Sequence, residues 1–273
     1  MVKKSSPPAI QLKEVSALFR GNNGNLLALD NVSFDVSDQE FLCVLGPSGS
    51  GKSTLLRILA GLLPPTSGLV FYGDQVISSP KEGIGFVFQH ANLMPWRSVS
   101  ANITLPLEII GYPGNLAAER VSEMVELVGL VGFENTLPRD LSGGMAQRVA
   151  IGRALIHDPQ VLLLDEPFGS LDALTRERMG SELMRIWQMR RKTVIMVTHS
   201  ISEALFLADR VLVLSSRPGT ISYDLEIPFR RPRQENIQYS TMFGELAREL
   251  RGVIGENRQL NIDGKPRIPD REG

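Results

Sequence analysis

The sequence predicts an α/β fold in which short buried strands alternate with helices. Two apolar, β-prone runs, at residues 41–45 and 161–164, are typical of buried parallel strands. The first leads through a glycine-rich stretch into a helix-prone segment at residues 55–63, and the second ends in two acidic residues. Strand-like runs return at residues 193–197 and 211–214. These alternating segments favour a parallel sheet with helices packed on it.

The segment before this sheet is predicted to be antiparallel. Residues 10–36 indicate two strands joined by a Gly-Asn-Asn-Gly turn at residues 21–24. After the first helix, the run Pro-Pro-Thr-Ser-Gly at residues 64–68 ends the helical pattern, because proline removes a donor and restricts φ. Two more short strands are predicted at residues 69–72 and 84–88.

The middle of the chain has a different pattern. Between residues 91 and 157 helical periodicity dominates, and it is clearest at residues 117–128 and 145–156. We therefore predict a discontinuous architecture, in which a core of residues 10–90 and 158–225 is interrupted by a helical insertion of residues 91–157.

The end of the chain is expected to be a weakly packed surface extension. From Glu226 onward the sequence mixes proline with both signs of charge, and only residues 242–254 show a brief helical pattern. We assign residues 10–240 to one domain and residues 241–273 to this C-terminal extension.

Composition excludes several classes of protein. The 29 basic and 30 acidic residues nearly balance, so no overall field favours nucleic acid or an acidic substrate. The single cysteine, Cys43, excludes an intramolecular disulfide framework and is predicted to be a core residue. The N-terminus lacks the apolar stretch of a signal peptide, and no window approaches the roughly 18 apolar residues of a membrane span. We therefore expect a cytosolic chain that reaches a membrane only through a partner.

Residues 46–54, which read GPSGSGKST, match the phosphate-binding P-loop pattern. They lie at a strand-to-helix turn, where backbone N–H groups and the positive end of the helix dipole face a phosphate. Lys52 can reach the β- and γ-phosphates of a nucleotide, and the Ser53 hydroxyl can ligate Mg²⁺. The alternative is a glycine-rich connection in an ordinary α/β protein. The predicted nucleotide contacts of the loop are Gly46, Pro47, Ser48, Gly49, Ser50, Gly51, Lys52, Ser53 and Thr54.

Polar residues also follow three other predicted strands, at the sheet edge where ligands of open α/β sheets bind. Asp165 is the natural Mg²⁺ partner, and Glu166 can accept a hydrogen bond from an attacking water. Gln89 can ligate Mg²⁺ or orient water, and His199 can hydrogen-bond a γ-phosphate. Their structural alternatives are surface salt bridges for the two acids, a polar strand cap for Gln89 and an ordinary structural histidine for His199.

A second anion-binding pattern lies in the helical insertion. Residues 141–145 read LSGGM, in which Ser142 is an N-cap type residue and Gly143 and Gly144 expose backbone N–H groups at a helix start. The alternative is that this run only caps a helix. That interpretation does not explain why a chain of this length carries two loops of the phosphate-binding type.

Taken in order, these motifs resemble the ATP-binding subunit of ABC transporters, over roughly residues 10–225. The LSGG run separates that family from other P-loop proteins. The resemblance implies a RecA-like P-loop NTPase core with an N-terminal antiparallel β-subdomain and an inserted α-helical subdomain. It also implies ATP and Mg²⁺ as cofactors and two copies that sandwich two ATP–Mg²⁺ between them.

The resemblance also implies a role for each matching residue. Lys52, Ser53 and Thr54 would bind phosphate and Mg²⁺, with Asp165 and Gln89 supporting the metal. Glu166 would be the general base and His199 the γ-phosphate sensor, which makes Glu166, His199, Lys52 and Gln89 the catalytic set. The remaining predicted nucleotide contacts are Phe19 on the adenine, the signature residues Ser142, Gly143 and Gly144, and Asp172, which follows the two acids in the chain. Of these, Ser142 and Gly144 would contact the γ-phosphate of ATP held by a second copy. The chain departs from the family pattern at Phe19, where Tyr is more usual, at Met145 and at Ser170.

Two further segments look like importers of the nitrate, sulfonate and taurine type. They are residues 92–99, which read NLMPWRSV, and residues 214–220, which read LSSRPGT. In such proteins these segments are expected to contact the permease. Trp96, near Gln89, is predicted to line the groove that receives a permease helix, and the alternative is a core aromatic of the insertion.

The resemblance thus implies an ATPase at the cytoplasmic face of the cell's inner membrane, held there peripherally by permease subunits. A periplasmic or extracellular solute-binding protein would be an indirect partner, and no nucleic acid is expected. The alternative is an ABC-type ATPase that acts on nucleic acid or the ribosome. For that reading the chain offers no basic cluster beyond Arg230, Arg231 and Arg233.

Overall fold

A computed structural model describes residues 7–21, 24–169 and 171–262 of the chain, with side chains as far as residue 256. Ser170 and the two asparagines of the predicted 21–24 turn lie outside the described residues. The strands are β1 (Ile10–Gly21), β2 (Gly24–Val36), β3 (Phe41–Leu45), β4 (Ser67–Tyr72), β5 (Gln75–Val76), β6 (Ile84–Val87), β7 (Val161–Asp165), β8 (Thr193–Val197), β9 (Arg210–Leu214) and β10 (Ile221–Glu226). The helices are α1 (Lys52–Leu59), α2 (Val99–Ile109), α3 (Gly114–Leu127), α4 (Gly143–Leu155), α5 (Ala173–Arg190), α6 (Ile201–Leu207) and α7 (Thr241–Ile262).

The central layer is a six-stranded sheet in the order β10-β9-β3-β8-β7-β6. All neighbouring strands are parallel except β10, which pairs antiparallel with β9 at one edge. Strand β3 shows how the sheet divides the core: Leu42 and Val44 belong to one apolar cluster, and Cys43 and Leu45 to the other. Because successive side chains of a strand point to opposite faces, an unbroken apolar run buries both faces. Because β3, β6, β7 and β8 run parallel, their carboxyl ends share one edge of the sheet.

Each face of this sheet is covered by a different layer. On one side lies a four-stranded antiparallel sheet in the order β2-β1-β4-β5, together with α1. On the other side lie α2, α3 and α4, which fall between β6 and β7 in the chain. The predicted fold class, a P-loop core with an antiparallel N-terminal subdomain and an inserted helical subdomain, is confirmed. The bounds assigned to the core, the insertion and the extension stay predictions.

Two helices were not anticipated from the sequence. Helix α5 is rich in Arg and Glu, and its apolar side is a narrow stripe that includes Met179, Leu183 and Ile186. Helix α2 contains Pro106 in its interior, a residue that normally argues against a helix. In both helices burial of one side outweighs the local signal, which is the usual way tertiary packing overrides propensity.

The expectation of a weakly packed tail is wrong. Phe243 and Leu250 of α7 are buried, and the ring of Phe243 stacks on Phe229 with centroids 5.9 Å apart. Apolar residues that recur every three or four positions from Phe243 to Ile254 pack against the core cluster behind the sheet. The sequence pattern predicted a short helix here. It did not predict that one side of this helix would pack against the core.

Two arginines anchor the tail to the core. The Arg231 guanidinium lies 4.1 Å from the ring centre of Trp187 and pairs with Asp209 at 2.6 Å. Arg233, with 1% of its side chain exposed, donates to the carbonyl oxygens of Phe206 and Ala208 at the end of α6. Both guanidiniums are therefore engaged within the fold.

Two other sequence expectations concern burial and membrane contact. Cys43 is fully buried, as predicted, and burial raises the pKa of its thiol well above the ordinary value. Within the described part of the chain, no helix has the length and apolar character needed to cross a bilayer.

Candidate active site

The P-loop joins β3 to α1 and curves through left-handed glycines. Gly49 has a φ of 80° and Gly51, the residue before α1, a φ of 92°. Such angles are accessible to glycine at little cost. The Lys52 ammonium donates to the carbonyl oxygens of Gly46 at 2.9 Å and Pro47 at 2.8 Å. Lys52 thus lies along the loop, with its charge at the cradle where a phosphate would sit.

Lys52 is buried, and its ionisation reflects two opposing effects. Burial lowers the pKa of its ammonium, while the nearby charges of Glu166 and Asp165 act to raise it. Among the described residues, no carboxylate lies at ion-pair distance from Lys52. A partly desolvated cation of this kind is suited to an anionic ligand, which would supply a charge partner.

Ser53 and Asp165 form the pair predicted for a metal. The Ser53 hydroxyl donates to Asp165 Oδ1 at 2.9 Å. This hydrogen bond joins the first turn of α1 to the end of β7. Burial raises the pKa of the Asp165 carboxyl, an effect that the hydrogen bond from Ser53 partly offsets. Two oxygen donors side by side fit Mg²⁺, which in nucleotide sites takes one or two protein oxygens and fills its other positions with phosphate and water. Over the described residues, no group of three or more His, Cys, Asp or Glu is placed to hold a metal by itself.

Glu166, Gln89 and His199 meet at the same edge. The Glu166 Oε2 atom lies 3.2 Å from His199 Nδ1 and accepts a longer hydrogen bond, at 3.4 Å, from Gln89 Nε2. Glu166 has a φ of 45°, unusual for a residue with a side chain. Such a conformation costs on the order of 1 kcal/mol and is held in place by the surrounding structure. The sheet therefore brings together three residues that the sequence places at separate strand ends.

The position of His199 is set by its neighbours. The Thr198 hydroxyl donates to Glu203 Oε2 at 2.5 Å and accepts the backbone N–H of Ser200 at 3.0 Å. These bonds hold the short turn between β8 and α6, from which His199 projects, exposed, towards Glu166.

An open cleft of about 620 Å³ joins these groups. Its apolar end is formed by Phe19, Leu26 and Ala28 of the antiparallel sheet. Phe19 is 40% exposed and pairs with Leu26 across β1 and β2, so a planar base could lie against either side chain. The cleft is lined by Phe19, Leu26, Ala28, Gly46, Ser48, Gly49, Gly51, Lys52, Ser53, Thr54, Gln89, Glu166, His199, Arg217 and Ile254.

Some predicted contacts lie beside this cleft without lining it. Pro47 has no N–H to offer, and its carbonyl accepts from Lys52, so its part is to hold that lysine. Ser50 is buried beneath the loop, and its hydroxyl has no hydrogen-bond partner among the described residues. Asp165 is also buried and faces Ser53 rather than the open space.

The predicted signature residues and Asp172 lie apart from the cleft. Ser142 caps α4 by accepting the backbone N–H of Met145 at 3.3 Å, and Gly143 and Gly144 form the first turn of that helix. Asp172 likewise caps α5, where hydrogen bonds from the Thr175 side chain and backbone lower the pKa of its carboxyl. None of the four lines the cleft of its own chain.

Sequence patterns missed four residues of the cleft wall. Leu26 and Ala28 are ordinary strand residues in the sequence, and Ile254 belongs to the tail that was expected to pack weakly. Arg217 lies in the 214–220 segment, which was expected to contact the permease and not the nucleotide, and its Nε donates to the Gly49 carbonyl at 3.1 Å. The helical pattern that ends at residue 254 was the only available signal for Ile254.

The structure also decides between the two interpretations of Trp96. Its side chain is 73% exposed, so the interpretation as a core aromatic is wrong. The buried Asn102 side chain holds the preceding loop by donating to the carbonyl oxygens of Met94, Arg97 and Ser98 at 2.8 to 3.2 Å. Trp96 therefore projects from a well-braced loop.

Comparisons with known proteins show which sequences and structures the chain resembles. Residues 29–169 match the family described as ABC transporter. The chain is 48% identical over 255 residues to an uncharacterized ABC transporter ATP-binding protein of Methanocaldococcus jannaschii, covering 93% of this chain and 94% of that one. It is 46% identical to a nitrate import ATP-binding protein of Synechocystis sp., covering 80% and 82% of the two chains. An aliphatic sulfonates import ATP-binding protein of Bacillus cereus is 42% identical, covering 88% and 94%.

A solved structure shows the same fold. It is the dimeric, post-hydrolysis state of an ATP-binding cassette bound to ADP and Pi. The TM-score is 0.71 at 33% sequence identity, and the match covers 81% of this chain and all of that one.

Proposed function

Since this chain belongs to the ABC transporter ATP-binding family, we propose that it is the ATP-hydrolysing subunit of an importer for nitrate, sulfonate, taurine or a similar small solute. The observation that carries the proposal is the convergence at one sheet edge of the P-loop, the Ser53–Asp165 pair and Glu166. The choice of importer rests on the 46% and 42% identity to import ATP-binding proteins.

ATP binding is assigned to the cleft. The backbone N–H groups of the P-loop and the Lys52 ammonium hold the phosphates, and the base lies at the Phe19 and Leu26 end. Ser53 and Asp165 would hold Mg²⁺, with Gln89 close enough to the same edge to add a ligand. When bound, Mg²⁺ neutralises charge that develops on the transferred phosphoryl group.

Hydrolysis is assigned to Glu166 as the general base. Its carboxylate oxygen is oriented by His199 and Gln89, at 3.2 and 3.4 Å, which leaves it directed at the open cleft. There it would accept a proton from water as that water attacks the γ-phosphate. His199, exposed beside it, would hydrogen-bond the γ-phosphate and so distinguish ATP from ADP.

A second copy completes the site in this proposal. Ser142, Gly143 and Gly144 form the start of α4 outside their own cleft, and Asp172 caps the neighbouring α5. A helix start of this kind binds phosphate. In a homodimer each copy would therefore hold ATP with its P-loop and contact the partner's ATP with its signature run. The similar solved cassette is itself dimeric.

The membrane partner would bind the helical side of the molecule. There Trp96 is exposed on its braced loop, and α2 and α3 border a groove of about 730 Å³. Permease subunits that dock there would place this chain at the cytoplasmic face of the inner membrane, with a solute-binding protein as an indirect partner. The rival assignment to nucleic acid loses its basic cluster, because Arg231 and Arg233 are engaged inside the fold.

Replacing Glu166 by glutamine tests this assignment. The variant should bind ATP, accumulate as a dimer and lose steady turnover, because the amide keeps the shape but cannot accept the proton. Glu119→Gln, on an exposed face of α3, is the matched control and should hydrolyse ATP normally. Phosphate release and size-exclusion chromatography with ATP measure the two effects. Retained turnover in the Glu166 variant would exclude it as the base, and a Lys52→Ala protein with unchanged ATP affinity would contradict the P-loop assignment.

A further inference from the structure

The connection between β9 and β10 is tied to β2 by backbone hydrogen bonds, and it lies against the P-loop. The Gly219 N–H donates to the Ala28 carbonyl at 2.9 Å, and the Asp30 N–H donates to the Gly219 carbonyl at 3.0 Å. Gly219 is so close to the loop that an added Cβ would overlap the Ser50 carbonyl oxygen. The connection therefore has one well-defined position beside the phosphate cradle.

This position brings Arg217 over the loop. Its Nε donates to the Gly49 carbonyl at 3.1 Å, and a terminal nitrogen lies 2.9 Å from the point where a Cβ on Gly49 would stand. Only one of its five N–H groups is used in this bond. The side chain is exposed, lines the cleft and has no carboxylate at ion-pair distance within the described ranges. It is a cation held at the P-loop with most of its donors free.

The charge balance of the cleft suggests what those donors would bind. Glu166 provides negative charge at the sheet edge, while Lys52 and Arg217 are the two cations that line the cleft. Lys52 already shares its ammonium between two loop carbonyls. A nucleotide brings several phosphate charges to the same loop, and a planar guanidinium matches phosphate oxygens in both charge and geometry.

We propose that Arg217 is a further nucleotide-binding residue, which contacts the polyphosphate chain from the outer side of Gly49. By donating to the Gly49 carbonyl it also keeps that oxygen turned away from the phosphates. Arg217 would contact the phosphates in addition to Lys52, because the two side chains approach the loop from different segments of the chain. The inference rests on the proposed ATP site and names one more of its residues.

The test compares nucleotides that differ in phosphate number. ATP, ADP and AMP binding to the full chain is measured by calorimetry for the unchanged protein and for Arg217→Ala, Arg217→Lys and Arg230→Ala. Arg230, an exposed arginine of the tail, controls for the loss of one positive charge. Loss of a charge-assisted but solvent-exposed contact should weaken ATP and ADP about five- to tenfold and AMP less than about twofold. Arg217→Lys should recover part of the affinity, and the difference should shrink at high salt.

The outcomes separate the two claims. If the unchanged protein does not bind ATP, the proposed function and this inference both fail. If it binds ATP and Arg217→Ala binds equally well, only the inference fails. Equal weakening of AMP and ATP, or loss of dimers with unchanged ATP affinity, would also overturn it, since the contact would then be to the nucleoside or to a second copy. Unfolding midpoints confirm that the variants fold.

Discussion

Replacing Gly219 by alanine tests how closely the β9–β10 connection presses on the P-loop. The new methyl group would overlap the Ser50 carbonyl oxygen and come within 3.2 Å of the Leu29 side chain. A backbone oxygen cannot rotate away as the end of a flexible side chain can. The connection, the P-loop or both must therefore move.

The size of the effect follows from the bonds that this movement breaks. Clearing the overlap takes the Gly219 N–H away from Ala28 and the Gly219 carbonyl away from Asp30, bonds now 2.9 and 3.0 Å long. A buried backbone group left without its partner costs about 1–3 kcal/mol, so losing two bonds should lower the free energy of unfolding by about 2–6 kcal/mol. ATP affinity should fall as well, because Ser50 belongs to the loop proposed to hold the phosphates.

Urea unfolding and ATP titration measure these two effects. Gly252→Ala is the matched control, since a Cβ there meets nothing within 4 Å and the residue lies inside α7. That change should instead add about 0.5–1 kcal/mol, because alanine favours a helix more than glycine does. If Gly219→Ala unfolds at the same urea concentration as the unchanged protein, with the same slope, the close approach argued here is wrong.

Three other changes probe separate parts of the structure. Arg233→Met removes the donor to the carbonyls at the end of α6 and should cost about 3 kcal/mol by urea unfolding, whereas a loss below about 1 kcal/mol would contradict the anchoring role. The buried Cys43 thiol, whose pKa is raised, should react with alkylating reagents only through opening of the fold, and ATP at 100 times its Kd should slow this about 100-fold; labelling as fast as in urea would refute it. Because burial raises the pKa of Asp165, the carboxyl should protonate, and Mg²⁺-dependent ATPase activity should fall, at a pH above the ordinary aspartate range. Higher Mg²⁺ should move this acid limb to lower pH, and a pH–rate profile insensitive to Mg²⁺ would exclude Asp165 as its origin.

Much of the site was predictable because its signals are local. The glycines of the P-loop, the lysine that follows them and the acids after β7 each act through backbone geometry or position within a few residues. Gln89, Glu166 and His199 could be placed at one edge from the strand pattern alone, because parallel strands align their carboxyl ends. The sequence could not predict that Gln89 and His199 both contact Glu166 Oε2. This contact depends on the left-handed φ of Glu166 and on the strand order β8-β7-β6.

The sequence by itself determined the class of fold, the glycine-rich loop and the candidate residues for metal and water, because these depend on short-range periodicity and on residue chemistry. Only the tertiary structure decided that Arg217 contacts Gly49, 168 residues away in the chain, and that Ile254 lines the cleft. The same holds for the tail, whose Arg233 reaches back into the core. Contacts of this kind arise when distant segments compete to cover the same apolar surface, and that competition is settled by the packing of the whole chain.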